Sequence, residues 1–156
     1  MNALPNTVDL VSHLTDIVGA DNIATSAAEL VTLCHDVAGP APVPPLCAVR
    51  PETMEVAQAA MRRIAADGAG IVPRGGGLSY SGGYGPSQAG CVLIDMSALN
   101  RIVEINTDDR YVVVEAGCSW GALDEALTGT GYRPPFFGTL SGAASTVAGA
   151  VSQNAS

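Results

Sequence analysis

A run of three glycines directly after a short apolar segment is the feature that most restricts how this chain can fold. Residues 75–77 are all glycine, and they follow Ile71-Val72-Pro73, which predicts a strand. Glycine adopts positive φ and lets the backbone approach a ligand, and successive N–H groups in such a turn can hold an anion. A lone glycine triplet more often marks a surface turn. The preceding strand and the following Gly82-Gly83 favour an anion-binding loop, to which Arg74 would add charge or support.

The anion that suits this loop is a pyrophosphate, because the loop offers backbone donors and hydroxyls in place of lysine. All seven basic residues of the chain are arginine, and Ser79 and Ser81 lie just beyond the glycines. Two common phosphate loops are excluded. No GxxxxGK[ST] sequence occurs, and a GxGxxG pattern counted from Gly75 ends on Tyr80. An ordinary Rossmann dinucleotide site is therefore disfavoured.

The rest of the sequence alternates between helical and strand patterns and predicts an α/β fold. Residues 1–45 are predicted to be an acidic helical lead-in followed by a proline-rich connector, and residues 46–156 the main domain. In the lead-in we expect a helix over residues 8–18, a second helix over residues 26–37, and a stiff extended stretch at residues 39–45, which hold four prolines. In the main domain we expect strands at residues 46–49, 71–73, 91–95, 102–105 and 111–115, a helix capped by Thr53, and a helix over residues 120–127 capped by Ser119. The first two of these strands are expected to be joined by a parallel crossover.

Charge and cysteine usage exclude several classes of function. The formal net charge is −8, so neither nucleic acid nor an anionic membrane surface is an expected partner. No stretch is long and apolar enough for a membrane span, and no arginine precedes Arg50, which argues against a transit peptide. The four cysteines have no metal-binding spacing, so we expect reduced, buried thiols and a cytoplasmic protein. They are Cys34, Cys47, Cys91 and Cys118.

Several ordered pieces of the sequence, each weak alone, together resemble the vanillyl-alcohol oxidase or PCMH-type FAD-binding family. Within it, the chain is similar to the glycolate oxidase and D-lactate dehydrogenase-like flavoproteins. The pieces are Val49-Arg50-Pro51-Glu52-Thr53, Val72-Pro73-Arg74-Gly75-Gly76-Gly77, Ser81-Gly82-Gly83, Ile94-Asp95-Met96-Ser97-Ala98-Leu99-Asn100, Val114-Glu115-Ala116-Gly117, and Ser145-Thr146-Val147-Ala148-Gly149-Ala150 with Asn154.

The resemblance implies a PCMH-type FAD-binding fold that is incomplete at its C-terminus, with a small alcohol or a 2-hydroxy acid oxidised by hydride transfer to FAD. The FAD pyrophosphate would contact one loop, and the ribityl chain and flavin a second. The implied cofactor residues are Arg74, Gly75, Gly76, Gly77, Leu78 and Ser79 in the first loop, and Gly142, Ser145, Thr146 and Gly149 in the second.

Two positions depart from the family pattern. Some relatives carry a flavin-linked histidine where this chain has Leu78, so we expect non-covalent FAD, and Cys118 lies outside both loops. Ala148 replaces a usual glycine and narrows the room for the cofactor. No catalytic base is identified, because His13 and His35 lie far from both loops. We expect the substrate to be bound mainly by a later domain, and the chain by itself to be inactive.

Two alternatives stay open at this point. One is a flavoenzyme of another substrate class on the same scaffold, such as a reductase of an enolpyruvyl sugar. The other is a non-catalytic remnant that binds nucleotide or nothing. Oxidised flavin would colour the protein yellow, which separates the enzymes from an empty remnant.

Overall fold

A computed structural model of the chain describes residues 7–134 and 142–153 and has mixed α/β architecture. The predicted α/β class is confirmed. The helices are α1 (Thr7–Val18), α2 (Ala27–Leu33), α3 (Met54–Ala66), α4 (Trp120–Leu127) and α5 (Val147–Ser152). The strands are β1 (Ile23–Ala24), β2 (His35–Asp36), β3 (Gly39–Pro40), β4 (Cys47–Val49), β5 (Gly70–Arg74), β6 (Cys91–Asp95), β7 (Ile102–Asn106) and β8 (Tyr111–Val114).

The largest sheet has the strand order β1-β4-β6-β5, in which only β1 runs antiparallel to its neighbour. All five residues of β6 are buried, as expected for a central parallel strand that is covered on both faces. The crossover from β4 through α3 to β5 is parallel, as predicted. However, β6 lies between β4 and β5, the two strands that this crossover joins. That placement depends on long-range strand pairing, which local sequence pattern does not reveal.

Helices cover the two faces of this sheet unequally. On one face, α1 and α3 pack against Val92 and Ile94, and Leu10 and Leu14 of α1 have no solvent exposure. On the other face, α2 and Tyr84 pack against Leu93. The alternation of β6 side chains between the faces therefore produces two separate apolar clusters. The predicted boundary at residue 45 stays a prediction, while α1 itself packs into the main-domain core.

The second helix of the lead-in is shorter than predicted. We expected it to reach Val37, but α2 ends at Leu33 and the chain turns into a two-stranded hairpin formed by β2 and β3. The cause is Asp36, whose carboxylate accepts hydrogen bonds from the N–H groups of Ala38 and Gly39 at 2.7 and 3.1 Å. Such local side-chain acceptors compete with helical hydrogen bonding. The first residues of the predicted proline-rich connector thus form β3.

A hairpin and two helices form the C-terminal part of the described chain. Strands β7 and β8 are antiparallel, and α4 has the predicted bounds, with Ser119 Oγ accepting from the N–H of Ala122. Trp120, Leu123 and Leu127 of α4 pack with Ala150 of α5 into a third apolar cluster beneath the hairpin. Within the described residues, no helix is both long and apolar enough to cross a bilayer.

Candidate cofactor site

The glycine loop, defined here as residues 75–85, leaves the carboxyl end of β5 at the edge of the parallel sheet. Ligands in open α/β sheets bind outside the carboxyl ends of the strands. The expectation that the glycine triplet turns through positive φ is only partly right. Gly77 has φ +71°, whereas Gly75 and Gly76 keep negative or extended φ values. Gly75 and Gly76 are needed for a different reason, which is close packing against a second loop.

That second loop, defined as residues 142–146, connects to the start of α5. The N–H and Oγ of Ser145 both donate to the carbonyl of Gly142, at 3.2 and 2.8 Å. The backbone N–H of Trp120 in turn donates to the carbonyl of Ser145 at 3.0 Å. Thr146 caps α5 by accepting from the N–H of Gly149 at 3.2 Å. The second loop is therefore fastened to the beginnings of both α4 and α5.

The two predicted loops lie in direct contact. A Cβ atom on Gly75 would come within 2.5 Å of Thr146 Oγ1, and one on Gly76 within 3.0 Å of the carbonyl oxygen of Ala144. Real Cβ atoms essentially never approach as closely as the one on Gly75 would, and the distance at Gly76 is tighter than nine in ten real Cβ contacts. A larger residue at Gly75 would push the loops apart, and one at Gly76 would force the backbone at Ala144 to shift, so a tertiary contact favours glycine at these two positions.

Arg74 supports the glycine loop from below. Its guanidinium donates to the carbonyl of Leu33 at 3.1 Å and to Asp95 Oδ2 at 3.3 Å, and its Cζ lies 5.6 Å from the ring centroid of Tyr84. A Cβ atom on Gly77 would collide with this guanidinium. Of the two roles considered for Arg74, added charge or support, these contacts favour support, because Asp95 already neutralises it.

The far half of the glycine loop is folded by Ser79. This serine is buried, and its Oγ accepts hydrogen bonds from the N–H groups of Ser81 and Gly83 at 3.2 and 3.0 Å. Within the described residues, no hydrogen bond uses the N–H groups of Gly76, Gly77 or Leu78. These three adjacent donors are available to an anion in the way that anion-binding backbone turns require.

The two loops enclose a groove with a volume of about 400 Å³, within the usual size range of small-molecule sites. All the predicted cofactor residues line it except Arg74 and Gly142. Asn154, which carried part of the family resemblance, lies outside the described residues. Ser81 and Gly83, which the sequence placed in the anion-binding loop, also line the groove. The sequence did not point to a cofactor role for the other lining residues, which are Pro73, Tyr84, Ala150, Ser152 and Gln153.

The groups around the groove are held in neutral or internally paired forms. Burial raises the pKa of Tyr84, so its phenol stays protonated as a hydrogen-bond donor at neutral pH. Burial likewise raises the pKa of Cys34, beside the same loop. Cys118 is fully buried in the third apolar cluster, where burial raises its pKa, so it is not placed to react with a ligand in the groove. No metal-binding group of three or more side chains occurs among the described residues.

Comparisons with known proteins agree with this geometry. Residues 45–156 match the family model described as FAD binding domain. An FAD-linked oxidoreductase of Mycobacterium tuberculosis is 31% identical over 150 residues, which cover 94% of this chain and 32% of the relative. The mitochondrial cytochrome-linked D-lactate dehydrogenase of Kluyveromyces lactis is 35% identical over 88 residues, 55% of this chain and 15% of that protein. The crystal structure of p-cresol methylhydroxylase superimposes with a TM-score of 0.68 at 23% identity, over 79% of this chain and 24% of that one.

The fold and the paired loops therefore define an FAD-binding unit of the PCMH type. The chain belongs to the FAD-binding domain family, as the sequence resemblance predicted. It spans about a third of the length of the first curated relative it matches. The predicted fold and the predicted cofactor, FAD, are confirmed.

Proposed function

We propose that this chain is the FAD-binding part of a flavin-dependent oxidoreductase that oxidises a small alcohol or a 2-hydroxy acid. The observation that carries the proposal is the meeting of the two loops around one groove, with the N–H groups of residues 76–78 unused inside the protein. A pyrophosphate needs many donors and close backbone approach, and both are provided here.

The two loops would contact FAD from opposite sides of the groove. The pyrophosphate would be held by the backbone of Gly75, Gly76, Gly77 and Leu78 together with Ser79, while Ser145, Thr146 and Gly149 face the same groove from the other side. Arg74 acts as the support of the loop, and Gly142 fixes Ser145. When bound, FAD supplies the acceptor for a hydride from the substrate. The chain's own contribution is to bind and orient it.

Non-covalent binding is part of the proposal. Leu78 lines the groove with a hydrocarbon side chain that has no nucleophilic atom, and Cys118 is buried away from it. We further propose that the substrate is bound mainly by a later domain. All four cysteines are free thiols and buried, which supports a cytoplasmic location.

The substrate class rests on the D-lactate dehydrogenase similarity, which covers 55% of this chain. The experiment is to purify the protein, record its absorbance spectrum, and titrate it with FAD by fluorescence quenching. Acid treatment should then release all flavin into the supernatant. Dye reduction with glycolate and with D-lactate is assayed on a longer version of the protein that includes the later domain, because this chain by itself is expected to be inactive. Absence of FAD binding would contradict the cofactor assignment, colour in the precipitate would contradict non-covalent binding, and inactivity with both acids would contradict the substrate class.

A further inference from the structure

A buried carboxylate outside the family-matched residues contacts the glycine loop. Asp36 belongs to the β2–β3 hairpin, is 6% exposed, and precedes residue 45, where the family match begins. Its Oδ1 accepts from the N–H groups of Ala38 and Gly39, which closes the hairpin turn. Its Oδ2 accepts from the N–H of Gly82 at 3.0 Å, across 46 residues of sequence. The two oxygens therefore serve two different parts of the chain.

The same hairpin holds the glycine loop at two further points. The N–H of Val37 donates to the carbonyl of Ser79 at 3.0 Å. The hydroxyl of Tyr84 donates to the carbonyl of His35 at 2.8 Å, with the carbonyl of Gly77 also within 3.1 Å. The contact from Val37 lies at Ser79, directly after the unused N–H groups of residues 76–78, and the Tyr84 hydroxyl links the hairpin to Gly77. The hairpin thus determines which way residues 77–82 face.

We propose that Asp36 is a positioning residue for the anion-binding loop, acting through Gly82 to aim the donors of residues 76–78 and Ser79 into the groove. The proposal rests on the proposed function of the groove as an FAD site. Asp36 does not line the groove. A hydrogen bond from a backbone N–H to an ionised carboxylate is among the stronger ones in proteins, and here it is buried.

Because Asp36 carries a negative charge, the direction in which its removal changes FAD affinity tests the proposal. A negative charge near the groove repels a pyrophosphate. If Asp36 acted on the ligand only through its field, its removal would strengthen FAD binding. If it acts by holding Gly82, its removal weakens FAD binding. Asp36→Asn separates the two, because the amide keeps one acceptor oxygen for the hairpin turn and offers an NH₂ group, which cannot accept from Gly82.

The first experiment compares Asp36→Asn with wild type and with Asp109→Asn, which makes the same charge change at an exposed turn next to β8. Dissociation constants are measured for FAD, ADP and riboflavin. We expect Asp36→Asn to weaken FAD and ADP binding about tenfold or more, the size of effect of one charge-assisted hydrogen bond. Riboflavin has no phosphate, so its affinity should be unchanged. Equal or tighter FAD binding by Asp36→Asn would overturn the proposal, as would an equal loss for riboflavin or an equal effect of Asp109→Asn.

A second measurement needs no flavin and therefore separates this inference from the proposed function. Amide hydrogen exchange of Gly82 in the ligand-free protein should be faster in Asp36→Asn than in wild type, while exchange in the core strand β6 stays unchanged. An unchanged exchange rate at Gly82 would overturn the positioning role. Faster exchange in a protein that binds no FAD would instead keep the positioning role and contradict the cofactor assignment.

Discussion

Two arginine–carboxylate pairs, one beneath the glycine loop and one at the ends of the β7–β8 hairpin, differ in burial. On the side of the parallel sheet, Arg74 and Asp95 are 3.3 Å apart with side chains 18% and 9% exposed. At the β7–β8 hairpin, Arg101 and Glu115 are only 2.7 Å apart, but the Arg101 side chain is 74% exposed. The shorter pair is the one that water screens, so distance alone does not rank their importance.

The difference shows how each side holds its loop. Arg74 is surrounded by the carbonyl of Leu33, the ring of Tyr84 and the backbone of Gly77, so the ion pair is part of the floor of the glycine loop. Arg101 closes the open end of the β7–β8 hairpin, and its partner Glu115 also accepts from the Arg101 backbone N–H at 2.8 Å. The second loop depends instead on backbone hydrogen bonds and the cap at Thr146. One loop is held by buried charge and the other by caps.

The largest effect on FAD binding is expected from a substitution that separates the glycine loop from the second loop. Gly76→Val places a branched side chain against the carbonyl of Ala144 and should abolish FAD retention while the fold survives. Flavin content per protein and far-UV circular dichroism measure the two outcomes. Ala122→Val, at an exposed position in α4, is the matched control and should keep its flavin. Normal flavin content in Gly76→Val would show that the loop contact is not needed for binding.

The second prediction compares the two arginines directly. Arg74→Met leaves Asp95 buried without its cationic partner, with the N–H of Ser97 still donating to it, and should lower the free energy of unfolding by about 3 kcal/mol, as breaking buried ion pairs does. Arg101→Met should cost much less, because water screens its exposed guanidinium and the backbone N–H of residue 101 still donates to the buried Glu115 carboxylate. Denaturant unfolding of both variants measures the difference. Adding Asp95→Asn to Arg74→Met should restore part of the loss, since the uncompensated charge is gone. Equal losses of unfolding free energy in Arg74→Met and Arg101→Met would show that the two ion pairs do not differ in their contribution to stability.

Local sequence pattern was sufficient for much of the fold. The bounds of β6 and α4 were predicted as they are found, and Ser119 caps α4 as its position before an amphipathic run indicated. The end of α2 was predicted wrongly, because the competition between helix and turn at Asp36 depends on side-chain hydrogen bonds. The insertion of β6 between β4 and β5 also escaped prediction, since strand order is a long-range property.

The candidate site likewise has parts that local sequence predicts and parts that depend on long-range contacts. The glycine loop and the second loop could be found from composition and order, because glycine, serine and threonine there have few other uses. Tyr84 and Gln153 line the groove without any local signal, and Asp36 is separated from its partner Gly82 by 46 residues. The reason for Gly76 was also missed: φ was expected to explain it, but the packing of Ala144 does.

A smaller effect is expected at the cap of the second loop. Thr146→Ala removes the oxygen that accepts from the N–H of Gly149 and should cost about 1 kcal/mol of stability, the usual value for a helix N-cap. Thr146→Ser keeps the oxygen and should recover most of the loss. Thermal unfolding of the three proteins provides the measurement. If serine is as destabilising as alanine, the methyl group and not the cap holds this loop.

The smallest effect, and the one most dependent on conditions, concerns Glu115. Hydrogen bonds from Arg101 lower the pKa of Glu115 from its ordinary 4.5, so the folded state holds the carboxylate charged more strongly than the unfolded state does. The stabilisation is therefore present above pH 4.5 and lost as the pH falls through the lowered value. Thermal midpoints recorded at a series of pH values should show a shallower acid decline in Glu115→Gln than in wild type, with the exposed Glu125→Gln as the control. Because Arg101 is exposed, added salt should shrink the difference. Identical acid declines in wild type and Glu115→Gln would mean that this pair contributes nothing to the hairpin side.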